Sequence, residues 1–194
     1  MIMTVEMLKD KYKDYNNIFE KIRVEEKNNR LIKLKRSLYT NNINESPFLI
    51  ANVLYNPSYI SFETALDFNN VIPERVNIII SATFKKNRTK VYNTEFGTFY
   101  YQDINKKAYP YGIEIVNIDG NDILIASKEK ALTDTISTLP PRNSIKEIEK
   151  LLFDDLRVNE FVFDEMDKKL LSLLCDLYPS ENLKLLQRYI RRNI

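Results

Sequence analysis

The chain has no histidine, one cysteine and three glycines in 194 residues, and each scarcity removes a class of chemistry. Without histidine there is no His-based catalytic triad, most zinc sites are excluded, and the commonest general base near neutral pH is missing. The single thiol, Cys175, forms no internal disulfide, and a reducing cytoplasm is the simplest compartment for such a chain. Its setting, LLSLLCDLY, predicts a buried small hydrophobe rather than a reactive group. Three glycines leave little material for a phosphate cradle, and neither Gly-x-Gly-x-x-Gly nor a Walker loop occurs. No cofactor and no metal is expected.

Long hydrophobic runs are missing too. The stretch from Val76 to Ala82, interrupted by Asn77, falls far short of the roughly 20 residues that a bilayer crossing needs, so no membrane partner is expected. The amino terminus becomes charged within a few residues and shows no secretory signal. What is present is 44% hydrophobic content, enough for one good core or two small ones.

The net charge of +2 is small but unevenly spread. Up to Thr40 there are ten basic and six acidic residues, an excess of four, so the rest of the chain is slightly acidic. In that first segment Thr4 is a natural N-cap for a short helix, VEMLKDKY. A second helix is expected from about Asn16 to Asn28, with Ile18, Phe19 and Ile22 as its apolar stripe and Asn17, Glu20, Lys21, Val24 and Lys27 outward. RLIKLKRSLYT then alternates, Ile32, Leu34 and Arg36 against Lys33, Lys35 and Ser37, which predicts a strand. Two short helices and a basic strand suit an abbreviated winged helix-turn-helix on DNA, or equally a small cap with solvated lysines. The acidic pair Glu25-Glu26 weighs against DNA, because carboxylates near phosphates are repelled.

Downstream, Pro47 to Leu54 predicts a short helical turn ended by Asn56-Pro57, and Ser58 or Ser61 is expected to open a helix carrying Phe62, Ala65, Leu66 and Phe68. VNIIISATF, KKNRTKVYN, FGTFYYQDI, YGIEIVNI and ILIAS are expected strands, with NIDGND as a hairpin turn. Gly97 and Gly112 are expected to mark bulges or close packing. After Leu139-Pro140-Pro141 three helices are expected, in SIKEIEKLLFDDL, FDEMDKKLLSLLCDLY and SENLKLLQRYIRRNI.

The stretch LIASKEKALTDTIS, residues 124–137, places Ser127 three positions before Lys130, the spacing of a serine-lysine acylating pair. The companion strings Ser-Asp-Asn and Lys-Thr-Gly are missing. Read structurally, Ser127 is an N-cap, Glu129 sits at the positive end of the helix dipole, and Ala131, Leu132 and Ile136 face a core. Lys130 and Asp134 would pair on the exposed face, worth a few tenths of a kcal/mol. Turn chemistry explains Asp119 and Asp122, and a solvated helix face explains Asp154 and Asp155. No catalytic residue is assigned.

The segments RLIKLKRSLYT, PSYISFETALDFNNVIPE, EFGTFYYQDI and ILIASKEKALTDTI, in this order and at these separations, together resemble the AbiEi-like antitoxins. These are the antitoxin half of type IV, abortive-infection toxin-antitoxin systems. The resemblance covers roughly residues 4 to 138. It implies an α+β chain with a winged helix-turn-helix over 1–42 and a mixed α/β antitoxin domain over 43–140; the helices expected over 141–194, outside the resemblance, are expected to pack on that domain. It implies a cytoplasmic phage-defence repressor, not an enzyme, that binds inverted repeats in its own promoter and counters a nucleotidyltransferase-type toxin. Lys33, Lys35 and Arg36 fall on the family's basic wing, where Ser37-Leu38-Tyr39 replaces a Gly-Leu-Tyr. The expected DNA contacts are Asn17 and Lys21 on the recognition helix, with Arg30, Lys33, Lys35 and Arg36 on the wing. A homodimer is compatible with this. The rival expectation is an interaction module that holds a toxin directly and does not bind DNA.

Overall fold

The computed structural model describes residues 1–193 and is a mixed α+β structure with two sheets among the described residues. The first sheet is antiparallel, in the order β1-β3-β2, from β1 (Ile2–Thr4), β2 (Ile32–Lys35) and β3 (Leu38–Thr40). Helices α1 (Val5–Lys11) and α2 (Ile18–Lys27) lie between β1 and β2 in sequence. The Thr4 hydroxyl accepts from Met7 N–H and Asn17 Oδ1 accepts from Glu20 N–H, so both helices begin on side-chain caps. Met3, Leu8, Tyr12, Ile22, Leu31 and Tyr39 form a small core between helices and sheet.

Helix α2 does not bury the stripe that its sequence suggests. Phe19 is 62% exposed, while Ile22 and Glu25 face inward and Ile18 packs at the margin. Residues 18, 22 and 25 share one face at 3.6 residues per turn, and residue 19 lies about 100° away from it. Apolar character alone misassigned that position.

The other face of the small sheet turns toward the main core. Leu34 and Leu38 join Ile50, Leu54 and Tyr101 there, so the amino-terminal unit shares packing with the body. Ser37, in the β2–β3 turn, has φ +66°, a left-handed conformation that costs an L-residue strain.

The body follows with α3 (Pro47–Leu54), β4 (Ser58–Ile60), α4 (Phe62–Phe68), β5 (Ile79–Thr83), β6 (Lys90–Thr94), β7 (Gly97–Asp103), β8 (Ile113–Ile118), β9 (Asn121–Ala126) and α5 (Lys128–Thr138). The six strands are ordered β6-β7-β5-β4-β9-β8, with β5/β7 and β4/β9 parallel and the remaining pairs antiparallel. Ser58 lies within a strand, paired opposite Thr83, and does not open α4. Ser61 stands at the N-cap position of α4, but its hydroxyl is used elsewhere.

Gly112 is a site of close approach, as its sequence position suggests. It has φ +67° and its carbonyl accepts from Ser127 N–H at 2.8 Å, and a Cβ there would sit 2.7 Å from the Cβ of Lys130.

Beyond Pro141 the chain forms α6 (Ile145–Lys150), continued by a π-helical turn over Leu151–Asp155, then α7 (Glu160–Asp164), α8 (Lys168–Asp176) and α9 (Glu181–Asn193). Leu152, Leu171, Leu183 and Leu186 enter the main core. The single helix expected over 163–178 is interrupted. Asp167 breaks it because its carboxylate accepts from the N–H groups of Lys169 and Leu170 and so starts α8 afresh. The expected last helix extends to Ile194, which lies outside the described residues. Cys175 is buried, and burial pushes its thiol up to about 12, out of the reactive range.

Two substitutions probe these turns. Gly112→Ala is expected to lower stability by at least about 2 kcal/mol, combining left-handed strain with the clash on Lys130. Ser37→Gly is expected to raise it by up to about 1 kcal/mol by relieving strain of the same kind. Urea midpoints at constant m-value report both.

Candidate functional site

The six residues expected to meet DNA divide by what they already hold. Asn17 caps α2, its carboxamide oxygen 3.1 Å from Glu20 N, which leaves its amide nitrogen for other partners. Lys21 Nζ lies 2.7 Å from Glu25 Oε1 and 4.7 Å from the centre of the Tyr15 ring. Arg30 Nη1 reaches the same carboxylate oxygen at 3.4 Å. Lys21 and Arg30 therefore converge on one acid. Glu25 itself is buried, and the hydrogen bond from Lys21 holds its carboxyl below the usual range against the opposing effect of burial. Of the pair Glu25-Glu26 expected to repel phosphates, Glu25 faces inward and is neutralised, while Glu26 is half-buried and in no salt bridge among the described residues.

Lys35 also turns in. Its ammonium donates to the carbonyl of Leu54, and burial, with Lys86 nearby, lowers its pKa. Lys33 and Arg36 are exposed, and neither is in a salt bridge among the described residues. Of the expected set, these two are the free cations of the β2–β3 hairpin.

Two cations of α2 escaped the sequence reading of candidate contacts. Arg23 and Lys27 stand one turn apart on the exposed surface of α2. Their i,i+4 spacing, flanking the buried Ile22 and Glu25, is the signal that marks them. On the same side of the unit Lys9 Nζ sits 5.4 Å from the centre of the exposed Phe19 ring. The surface of α2 and the hairpin thus offers exposed ammonium and guanidinium groups suited to phosphate oxygens.

The Ser127-Lys130 stretch is built differently. Ser127 Oγ accepts from the backbone N–H of Lys130 at 3.2 Å and donates to Glu129 Oε2 at 2.9 Å, while Glu129 Oε1 accepts from Asp167 N–H at 3.0 Å. The Lys130 ammonium points away from Ser127, to Asp134 Oδ1 at 3.0 Å and to the Tyr178 hydroxyl. Asp134 further accepts from Tyr59 at 2.9 Å, Ser61 at 2.6 Å and Tyr178. The pair was expected on an exposed face; both side chains are instead 0% exposed, because α5 is covered by α4 and β9 on one side, with Tyr59 reaching in from β4, and by the carboxy-terminal helices α8 and α9 on the other. Burial lowers the Lys130 pKa, and Asp134 opposes that shift.

Asn182 completes the seal on this helix. Its amide donates to the carbonyls of Leu139 and Pro140 at 3.2 and 3.1 Å, and its oxygen accepts from Arg142 N–H at 2.7 Å. Carbonyls after the last turn of α5 thus find partners from α9.

Lys130→Met is expected to destabilise the fold by about 3 to 5 kcal/mol by stranding the Asp134 charge, whereas the apolar pair Lys130→Met with Asp134→Leu should recover part of that loss. Alkaline pH tests the same region. Tyr59, Tyr101 and Tyr178 are all held above the usual phenol value, burial being the first cause in each. Their contribution is intact below about pH 10 and is lost as pH rises past it, since only the unfolded chain ionises there freely. The lowered Lys130 works oppositely, but only up to the ordinary lysine range. Urea midpoints should therefore fall above about pH 10, and less steeply in Tyr178→Phe.

No family model matches the chain, and no curated protein matches it either.

Proposed function

We propose that the chain is an antitoxin of the type IV, abortive-infection kind, which binds promoter DNA of its own operon and counters a nucleotidyltransferase-type toxin. The observation that carries the DNA-binding part is the amino-terminal topology. A strand, two capped helices and a hairpin close into an antiparallel sheet of order β1-β3-β2, which is compatible with an abbreviated winged helix-turn-helix. In this reading α2 enters the major groove and the β2–β3 hairpin is the wing. Exposed Arg23, Lys27, Lys33 and Arg36 neutralise phosphates, and the amide nitrogen of Asn17 faces the groove. Half-buried Lys21 and Lys35 and the exposed Arg30 support the unit, through Glu25 and the Leu54 carbonyl. Ser37 at positive φ supports the wing assignment, because it occupies a turn position that suits the glycine of the family's Gly-Leu-Tyr. The toxin-directed part rests on the family resemblance of the body.

A specific observation also favours direct contact with a protein partner. Strand β8 is an edge of the six-stranded sheet, and its Ile115, 70% exposed, lies directly opposite Leu124, 40% exposed, on β9. An apolar cross-strand pair beside an open edge suits a toxin surface.

Gel-shift titrations on the chain's own upstream DNA test the first part. Lys33→Ala with Arg36→Ala should weaken binding and reduce the slope of log K against log salt by about two, while co-expressed toxin remains opposed. An unchanged slope contradicts the wing assignment, and loss of toxin protection in the folded variant contradicts the division of labour.

A further inference from the structure

The segment KKNRTK, residues 85–90, which runs from the β5–β6 connection onto the first residue of β6, carries four cations and no acid within six positions. It is a built loop. Lys85 and Asn87 hold left-handed φ values of +55° and +54°, and Asp103 at the end of β7 pins them by accepting from Asn87 N–H and from the Thr83 hydroxyl. Burial raises the Asp103 pKa, but these hydrogen bonds and the nearby Lys86 outweigh it, so the carboxylate stays charged and the pin holds at neutral pH. Strain of this kind persists only where the surroundings over-determine it.

The pinned loop is laid on an aromatic base next to the β2–β3 hairpin. Lys86 Nζ sits 4.9 Å from the centre of the Tyr55 ring, and Arg88 Nε donates to the Tyr55 hydroxyl at 3.1 Å. Tyr55 follows Leu54, whose carbonyl takes the Lys35 ammonium, and Lys86 is close enough to Lys35 to affect its titration. Strand β2 also packs beside β6, where Lys90 Nζ lies 5.4 Å from the centre of the Tyr92 ring. Among the described residues none of Lys85, Lys86, Arg88 and Lys90 is in a salt bridge. Four cations in one strip, offset only by the Asp103 carboxylate beneath the loop, leave a net excess of positive charge whose self-repulsion a polyanion would relieve.

We infer that the loop over residues 85–90 is a second phosphate-contacting element, which extends the hairpin's basic edge so that the backbone of one DNA duplex crosses both the amino-terminal unit and the body. This rests on the DNA-binding reading above. Duplex DNA is favoured over single strands because Tyr55 and Tyr92 have their rings against Tyr101, each other and the cations, so they offer charge to a backbone but no open platform for bases.

Salt-dependent binding of the full chain to its own upstream duplex, by fluorescence anisotropy, tests this in three proteins: wild type, Lys86→Ala with Arg88→Ala, and Lys33→Ala with Arg36→Ala. Each pair should reduce the slope by about two, at about 0.9 per phosphate contact. Because Lys86 and Arg88 touch Tyr55, the exposed pair Lys85→Gln with Lys90→Gln is measured as well, and it should also reduce the slope. Unchanged slopes in both loop variants, with a reduced slope in the hairpin variant, overturn the loop while leaving the DNA-binding reading intact. A reduced slope in the loop variants alone keeps the loop and removes the hairpin from the site. No salt-dependent duplex binding by the wild type, or binding to single-stranded RNA only, overturns the proposal.

Discussion

Lys130 and Asp134 lie one turn apart on α5, both sealed from water, and the position of most other elements follows from keeping that pair satisfied. Removing an ammonium and a carboxylate from water costs several kcal/mol per ion, and a single ion pair at good distance repays this only with further hydrogen bonds. Those bonds come from Tyr59 and Ser61 at the end of β4 and from Tyr178 between α8 and α9. A displacement of the sheet or of the carboxy-terminal helices would strip Asp134 of a donor. The bare backbone of Gly112 lets the Lys130 stem pass, and Glu129 ties the start of the same helix to the start of α8. Helix α5 is thus the hub on which sheet and helical tail are registered.

The basic surface inherits its rigidity from that hub. The main core that surrounds α5 reaches Leu34 and Leu38 on the amino-terminal sheet, and the Lys35 ammonium holds the end of α3. The loop over residues 85–90 is fastened by Asp103 from β7, which pairs in parallel with β5. Charge is presented from fixed backbone rather than from tails, which lowers the ordering cost when a polyanion binds. Lys21, Lys35 and Lys130 are partnered within the fold, while Arg23, Lys27, Lys33 and Arg36 are exposed and are the cations proposed to meet DNA. Counting lysines along the chain does not separate these two sets.

Much of the fold was legible because its signals are local. Alternation marked β2, although the chain turns at Arg36-Ser37 into β3 instead of continuing as one strand; the apolar run marked β5, the NIDGND turn marked the β8–β9 hairpin, and Thr4 and Ser127 cap the helices that they were expected to cap. Errors arose where tertiary contact decides. The Lys130–Asp134 spacing is that of a surface ion pair, and nothing within one helix shows that a second layer of helices covers it. Phe19 was placed inside by its chemistry, yet helical phase gives that face to Glu25, whose charge is met by Lys21 and Arg30. Residues 85–90 look like the start of a strand; the left-handed turn that gathers their charge depends on Asp103, distant in sequence.

The most direct measurement is the salt dependence of wild-type binding to a duplex from the chain's own upstream region, set beside a scrambled duplex of equal length. If Arg23, Lys27, Lys33, Arg36, Lys85, Lys86, Arg88 and Lys90 each neutralise one phosphate, log K should fall linearly with log salt at a slope of about −7, with tighter binding to the upstream duplex at every salt concentration. A flat salt dependence, or equal affinity for both duplexes, would contradict a DNA-reading role for this surface.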